Sequence, residues 1–241
     1  MTALSIVIPV YNEEGVLEEL ISRCRRAAHE VADNDFELII VNDGSSDGTR
    51  EILQKHPDVV AIHLEKSHGQ FPATQAGLRR AQGQTVVVLD GDLQDPPEIL
   101  PTLVTTLRAS PDIDVVFACK TARGDGPIMK GAAWFYQLLQ RFGAHVMPWG
   151  AGSFCAMRHA SATRAGSAKA RQVNLAAVLL TQGVKLRAVP YEKQARYDDQ
   201  SRVGALGLLR EALTSLWLTG SLKRLGALIL LTLLVVFFLK N

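Results

Sequence analysis

The sequence predicts an α/β fold: a mostly parallel sheet with helices on both faces, then a C-terminal amphipathic helix and an apolar membrane segment. Three observations carry this. Short β-branched runs alternate with stretches of helical periodicity through the first half, the pattern of βαβ units. Val86-Val87-Val88-Leu89 is apolar at every position, as in a strand buried on both faces. Residues 225–239 carry no charge at all.

Taken in order, residues 4–10 read as a first strand. Val16, Leu17, Leu20, Ile21, Cys24, Ala27, Ala28 and Val31 recur at helical spacing between glutamates and arginines, an amphipathic helix. Residues 36–42 make a second strand, followed by the turn-rich Asp43-Gly44-Ser45-Ser46-Asp47-Gly48-Thr49 and a short helix. A third strand over 59–64, a helix over 71–82 and a fourth strand over 86–89 complete the regular half. The second half alternates less cleanly. It predicts a helix over 99–108, a strand over 115–119, a basic glycine-containing loop over 120–127 and a helix over 130–142. A short strand over 153–157, a helix over 175–182 and a last strand over 184–189 follow. Leu206, Leu209, Leu213, Leu216 and Trp217 then lie on one helical face with Arg210 opposite, as in a helix lying in a membrane interface. The boundaries are residues 1–202 for the α/β domain, 203–224 for the interfacial helix and 225–241 for the membrane segment.

As a helix the uncharged run would reach about 22 Å, less than a hydrocarbon core of about 30 Å. Insertion therefore relies on basic residues snorkelling at its ends or on packing with other helices, including a second copy of the chain. Lys223-Arg224 before it places that end, and the α/β domain, on the cytoplasmic side. No signal peptide is expected at the start.

Composition narrows the function classes. A formal net charge of +2 over 241 residues comes with no basic, aromatic-interleaved stripe, so nucleic acid is not an expected partner. Cys24, Cys119 and Cys155 are odd in number and lack Cys-x-x-Cys spacing, which argues against disulfides or zinc and fits a reducing compartment. No Gly-x-Gly-x-x-Gly or Gly-x-x-x-x-Gly-Lys follows the first strand, which argues against dinucleotide and P-loop chemistry.

The informative residues follow strand ends. Tyr11-Asn12-Glu13 follows the first strand, Asp43 to Asp47 the second, and Asp90-Gly91-Asp92 the fourth. In a parallel sheet these ends share one edge, where open α/β sheets bind ligands. A pair of carboxylates there suits a hard divalent cation together with substrate phosphates. Taken singly, each loop has a plainer reading: Asn12 and Ser46 are good helix N-caps, and Asp-Gly is an ordinary turn.

Ile8-Pro9-Val10-Tyr11-Asn12-Glu13, Val41-Asn42-Asp43-Gly44-Ser45-Ser46-Asp47-Gly48-Thr49 and Asp90-Gly91-Asp92-Leu93-Gln94-Asp95-Pro96-Pro97-Glu98 resemble the opening motifs of glycosyltransferase family 2. The last motif resembles the polyprenyl-phosphate glycosyltransferase branch, typified by dolichol-phosphate mannose synthase. The resemblance covers roughly residues 3–203. It implies a GT-A fold, a nucleotide-diphosphate sugar donor, Mg2+ or Mn2+ at the Asp-x-Asp, and inversion at the anomeric carbon. It implies that Pro9, Tyr11, Glu13 and Asp43 hold the nucleoside and that Asp90, Asp92 and Gln94 serve the metal and the diphosphate. Lys120 would assist on the donor side, where an arginine is more usual. Lys130, Arg196, Ser201 and Arg202 would grip the diphosphate and the acceptor phosphate, with Arg202 standing where a lysine is more usual. The branch often carries an acid before Gly152-Ser153-Phe154; here the stretch is Met147-Pro148-Trp149-Gly150-Ala151.

A lipid phosphate is already anionic and needs no general base, whereas a sugar hydroxyl needs a carboxylate to take its proton. The acidic pair that many hydroxyl-directed relatives place around residues 150–154 is absent. With the apolar tail, this favours a polyprenyl phosphate acceptor. The rival is a hydroxyl acceptor with Asp198 or Asp199 as base. A non-catalytic membrane scaffold is the third reading, against which Asp43, Asp90 and Asp92 stand. The missing glycine-rich N-terminal loop argues against a sugar-phosphate nucleotidyltransferase.

Overall fold

The computed structural model describes residues 2–121, 148, 150–169 and 174–192. Its centre is a seven-stranded sheet in the order β3-β2-β1-β4-β6-β5-β7. The strands are β1 (Leu4–Val10), β2 (Phe36–Asn42), β3 (Val59–His63), β4 (Thr85–Val88), β5 (Val115–Lys120), β6 (Ala151–Arg158) and β7 (Leu186–Tyr191). The helices are α1 (Leu17–Ala32), α2 (Thr49–Gln54), α3 (Gln70–Arg80), α4 (Leu100–Arg108), α5 (His159–Gly166) and α6 (Leu175–Thr181).

Strand β1 is buried along its whole length and pairs in parallel with β2 and β4. Its side chains alternate between two cores, as the strand period requires. Leu4, Ile6 and Ile8 meet Leu17, Leu20 and Ile21 of α1 and Leu103 and Leu107 of α4. Val7 points the other way, into the core formed with Phe71 and Leu78 of α3, Ala162 and Ala165 of α5 and Leu179 of α6. Helices therefore cover both faces, as expected. "Mostly parallel" holds with one exception, since β6 runs antiparallel to both β4 and β5, while β5 and β7 pair in parallel.

The first four strands fall where the sequence puts them, within one residue at each end. The strand expected over 184–189 runs instead over Leu186–Tyr191, and the expected helix over 99–108 begins with a separate 3-10 turn, Pro97–Ile99, ahead of α4. Helix α5 has no counterpart in the sequence reading. Its buried side is Ser161, Ala162, Ala165 and Gly166, small residues that leave no apolar period to find. What seats it is polar. The buried amide of Gln75 on α3 donates to the carbonyls of Ala165 (3.1 Å) and Ala168 (2.8 Å), and Arg79 donates to that of Gly166 (2.9 Å). These are carbonyls at and just past the helix end, where intrahelical partners run out, although that of Ala165 also accepts from the Ala168 N–H at 3.2 Å.

The expected loop beyond residue 121, the helix over 130–142, the polar stretch 193–202, the interfacial helix and the apolar segment all lie outside the described residues. Among the described residues, no helix is long and apolar enough to cross a membrane.

Replacing Gln75 with leucine removes the donor to Ala165 and Ala168 while keeping side-chain volume. It is expected to lower unfolding free energy by about 1–3 kcal/mol, the net worth of two buried hydrogen bonds, measured as a lower urea midpoint at unchanged slope.

Candidate active site

The three loops converge at one sheet edge, and those after β1 and β2 are bonded to each other. Parallel pairing sets Val10 opposite Asn42, and the Asp43 N–H donates to the Val10 carbonyl at 2.9 Å. From there the loops after β1 and β2 are zipped together. Ser45 Oγ accepts from the Asn12 N–H (2.9 Å), and Asn12 Oδ1 accepts from the Ser46 N–H (2.8 Å). Thr49 Oγ1 accepts from the Glu13 N–H, and Asp47 Oδ2 from the Glu14 N–H, both at 3.0 Å. Glu14 Oε2 in turn accepts from the Gly48 N–H at 2.7 Å. Asn12 and Ser46 are thus not helix caps: the N-cap residues of α1 and α2 are Val16 and Gly48, which make no side-chain cap bond. Asn12 adopts a left-handed backbone with φ of 55°, which asparagine tolerates better than most residues. Among the described residues, Tyr11 is the exposed large hydrophobic, at 41%.

Asp43 is almost fully buried, at 3% exposure. Its carboxylate accepts from Ser67 Oγ (2.7 Å), the His68 N–H (2.8 Å) and the Gly69 N–H (2.9 Å), which anchors the loop between β3 and α3. Gly44, with φ of +70°, lies so close to that loop that a Cβ would meet the Lys66 carbonyl carbon at 2.6 Å. Neighbouring Asn42 accepts from the Ser45 N–H (2.8 Å), and its amide lies 3.4 Å from His63 Nδ1. An amide N–H donates, so that ring nitrogen accepts. Burial, and then the charge of Arg50, hold His63 below the usual histidine range, in keeping with a neutral ring.

Asp90 sits just past β4. Its Oδ1 accepts from Gln70 Nε2, at the first residue of α3, and from Ser153 Oγ on β6 at 2.6 Å. Gly91 is pressed against β1, where a Cβ would lie 2.8 Å from Val10 Cγ1. Asp92 Oδ1 accepts from the Gln94 N–H at 3.1 Å, so the turn reading of this carboxylate holds alongside any ligand role. Asp95 is buried and accepts from the Tyr191 hydroxyl at the end of β7. Burial, then the Asp95 charge, raise Tyr191 well above the usual phenol range, so it stays a hydrogen-bond donor. The Tyr191 ring meets Phe154 edge-on at 5.8 Å between centroids.

The other expected residues are placed as follows. Pro9 is buried within β1, beneath the loops, and Glu13 is half-buried in the zipper. Lys120 is exposed at the end of β5, its N–H bonded to the Gly150 carbonyl at 3.0 Å. Lys130, Arg196, Asp198, Asp199, Ser201 and Arg202 lie outside the described residues. Sequence reasoning missed Ser67, Gln70, Ser153, Asp95 and Tyr191 as parts of the site. Only Asp95, inside the third motif, carried a local signal.

Cysteine chemistry is not on offer. Burial raises all three thiols, Cys119 to about 11 and Cys24 and Cys155 further, so none is a thiolate near neutrality. The donors around Asp90, Asp92 and Gln94 are carboxylate and amide oxygens, the hard set that suits Mg2+ or Mn2+. Among the described residues, no group of three or more His, Cys, Asp and Glu could close a metal cage. A cation here would need phosphate oxygens from a ligand to complete its shell, the usual arrangement for Mg2+.

The family model for glycosyl transferase family 2 matches residues 5–165. The chain belongs to this family. It is 33% identical over 204 residues to the uncharacterized glycosyltransferase YkcC of Bacillus subtilis, covering 82% of this chain and 62% of that protein. It is 42% identical over 127 residues to the undecaprenyl-phosphate 4-deoxy-4-formamido-L-arabinose transferase of Pseudomonas aeruginosa, covering 51% of this chain and 37% of that one. The matches thus span less than two thirds of either relative. The fold is similar to the Mycobacterium tuberculosis glucosyl-3-phosphoglycerate synthase solved with Mn2+, uridine-diphosphate and phosphoglyceric acid. The TM-score there is 0.66 at 22% identity, over 93% of this chain and 79% of that one. Mannosyl-3-phosphoglycerate synthase from Rubrobacter xylanophilus gives a TM-score of 0.67 at 16% identity, over 94% and 75% of the two chains. The glycosyltransferase fold that the motifs implied therefore stands.

Burial alone would raise Asp47, but hydrogen bonds from Thr49 and from the backbone of Glu14 outweigh it and hold the carboxyl below its ordinary value. Its bonds therefore stabilise the fold above the unfolded pKa and are lost as pH falls through the folded one. The stability difference between the parent and an Asp47→Asn variant is expected to be constant above about pH 5 and to shrink as pH falls below the ordinary aspartate value of about 4, as read from urea midpoints across that range.

Proposed function

We propose that this family member transfers one sugar, with inversion, from a nucleotide-diphosphate sugar to a polyprenyl phosphate at the cytoplasmic membrane face. The carrying observation is the convergence of Tyr11, Asp43, Asp90 and Asp92 at one sheet edge, with no acid in the described part of the segment that meets Asp90 from β6. Residue 153 there is a serine whose hydroxyl donates to Asp90, so it offers no base for a sugar hydroxyl. The Pseudomonas relative named as an undecaprenyl-phosphate sugar transferase supports the same acceptor.

In this reading Pro9, Tyr11, Glu13 and Asp43 form the nucleoside side, with the exposed Tyr11 ring offering a face to the base. Asp90, Asp92 and Gln94 hold Mg2+ or Mn2+, which when bound offsets the charge that builds on the leaving diphosphate. Lys120 lies on the donor side at the mouth of the site. Lys130, Arg196, Ser201 and Arg202 grip the acceptor phosphate and the diphosphate, a task suited to guanidinium forks. The acceptor phosphate oxygen attacks the anomeric carbon from the face opposite the diphosphate. The anomeric C–O bond breaks, and the electron pair leaves on the nucleoside diphosphate. Residues 1–202 carry this chemistry, while the helix 203–224 and the segment 225–241 hold the chain at the lipid surface and offer a contact between copies.

The test uses the full chain in membranes with Mn2+, radiolabelled nucleotide-sugars and undecaprenyl phosphate. Label is expected to move into the organic phase, and Asp92→Ala to reduce that transfer by about a hundredfold or more, the scale of losing a key electrostatic contact. Metal-dependent donor hydrolysis without a lipid product would overturn the acceptor and favour a hydroxyl with Asp198 or Asp199 as base.

A further inference from the structure

Asp90 is held from two directions by residues to which the sequence assigned no role in the site. Gln70 comes from the start of α3 and Ser153 from β6, and both donate to the same oxygen, Oδ1. Two donors fill the two lone-pair sites of one carboxylate oxygen. Contact from two separate elements fixes the plane of the carboxylate as well as its position. Gln70 is itself set in place. It directly follows Ser67, His68 and Gly69, the three residues that donate to the buried Asp43. The nucleoside-side aspartate and the Asp-x-Asp aspartate are thus joined through four consecutive residues.

We infer that Gln70 and Ser153 are positioning residues for the metal and diphosphate site, acting through Asp90 by holding its carboxylate in the orientation that a cation requires. The inference rests on the function proposed above, in particular on a divalent cation at Asp90 and Asp92. The physical reason is that a ligand carboxylate free to rotate must be ordered each time the cation binds. One already fixed by hydrogen bonds has that entropy removed beforehand. Gln70 and Ser153 need not touch the sugar to matter, and their loss falls first on metal affinity.

The decisive measurement is Mn2+ binding by the full chain, followed by electron paramagnetic resonance with uridine diphosphate or guanosine diphosphate present, whichever tightens binding more in the parent. Gln70→Leu and Ser153→Ala are each expected to weaken Mn2+ binding about tenfold, the scale seen when partners of a metal ligand are removed. Ser153→Thr keeps the hydroxyl and is expected to restore binding to within about twofold of the parent. Urea midpoints and, at saturating Mn2+, the KM for the sugar donor should stay near the parent's. Parent-like Mn2+ affinity in both variants, with or without a lower urea midpoint, would overturn the inference and leave the proposed function standing. A parent that binds no Mn2+, and whose transfer survives chelation, would overturn the metal reading and this inference with it.

Discussion

The site depends on parallel pairing at the middle of the sheet. Because β2 and β4 both pair in parallel with β1, three chains leave the sheet side by side at the same edge. Nothing else would bring Asn12, Asp43 and Asp90 together from positions as far apart as they are in sequence. The pairing is secured by burial on both faces: Leu4, Ile6, Ile8 and Val7 are all fully buried, and each such side chain contributes about 1.5–3 kcal/mol. Register is equally constrained, since a slip of one residue would exchange Ser5 and Val7 with their apolar neighbours across the two cores. Ser5 tolerates its burial because its hydroxyl donates to Glu37 (2.6 Å) and accepts from the Gly83 N–H (2.7 Å).

Beyond the sheet edge, order comes from polar contacts. The zipper between residues 12–14 and 45–49 satisfies backbone N–H groups with side-chain oxygens, the task that helix caps perform elsewhere. Asp43 does the same for the loop at 67–69. Buried donors and acceptors are costly to leave unmade, so each such bond specifies one loop conformation over many. The loops are consequently shaped by the chain's own hydrogen bonds, which suits the proposed stabilisation of charge developing on a diphosphate.

How far the sequence discloses this follows from the range of each signal. Val86 to Leu89 and residues 4–10 are legible because apolar runs and periodicity are local. The edge where the motifs meet is legible because parallel topology follows from strand–helix alternation. Asn12 and Ser46 have local cap chemistry but use it on each other, 34 positions apart, and no local rule distinguishes the two uses. Tyr191 and Asp95 are 96 positions apart, and their pairing is set by β7 lying beside β5, which no periodicity encodes. Helix α5 escaped because its packing rests on small residues and on Gln75, not on an apolar stripe.

The Asp-x-Asp loop shows how these forces balance. Leu93 has φ of 57°, a left-handed conformation that costs a non-glycine residue about 1–2 kcal/mol. A glycine would remove that cost. It would also lose the burial of a leucine that is only 6% exposed, and that burial is worth about 1.5–3 kcal/mol. The two terms nearly cancel, so the strained turn persists with the leucine anchoring it from inside the core. On one side of that anchor, Gly91 lets the chain press against Val10. On the other, Asp95 is tied to Tyr191, and Glu98 is clamped by Arg23 Nε and Nη2 at 2.8 and 2.6 Å. That clamp holds Glu98 below its usual range, so it remains charged and bonded through the neutral range. Asp92 therefore sits on a loop fixed at both ends and pinned in the middle, and its neighbour Asp90 is fixed by Gln70 and Ser153.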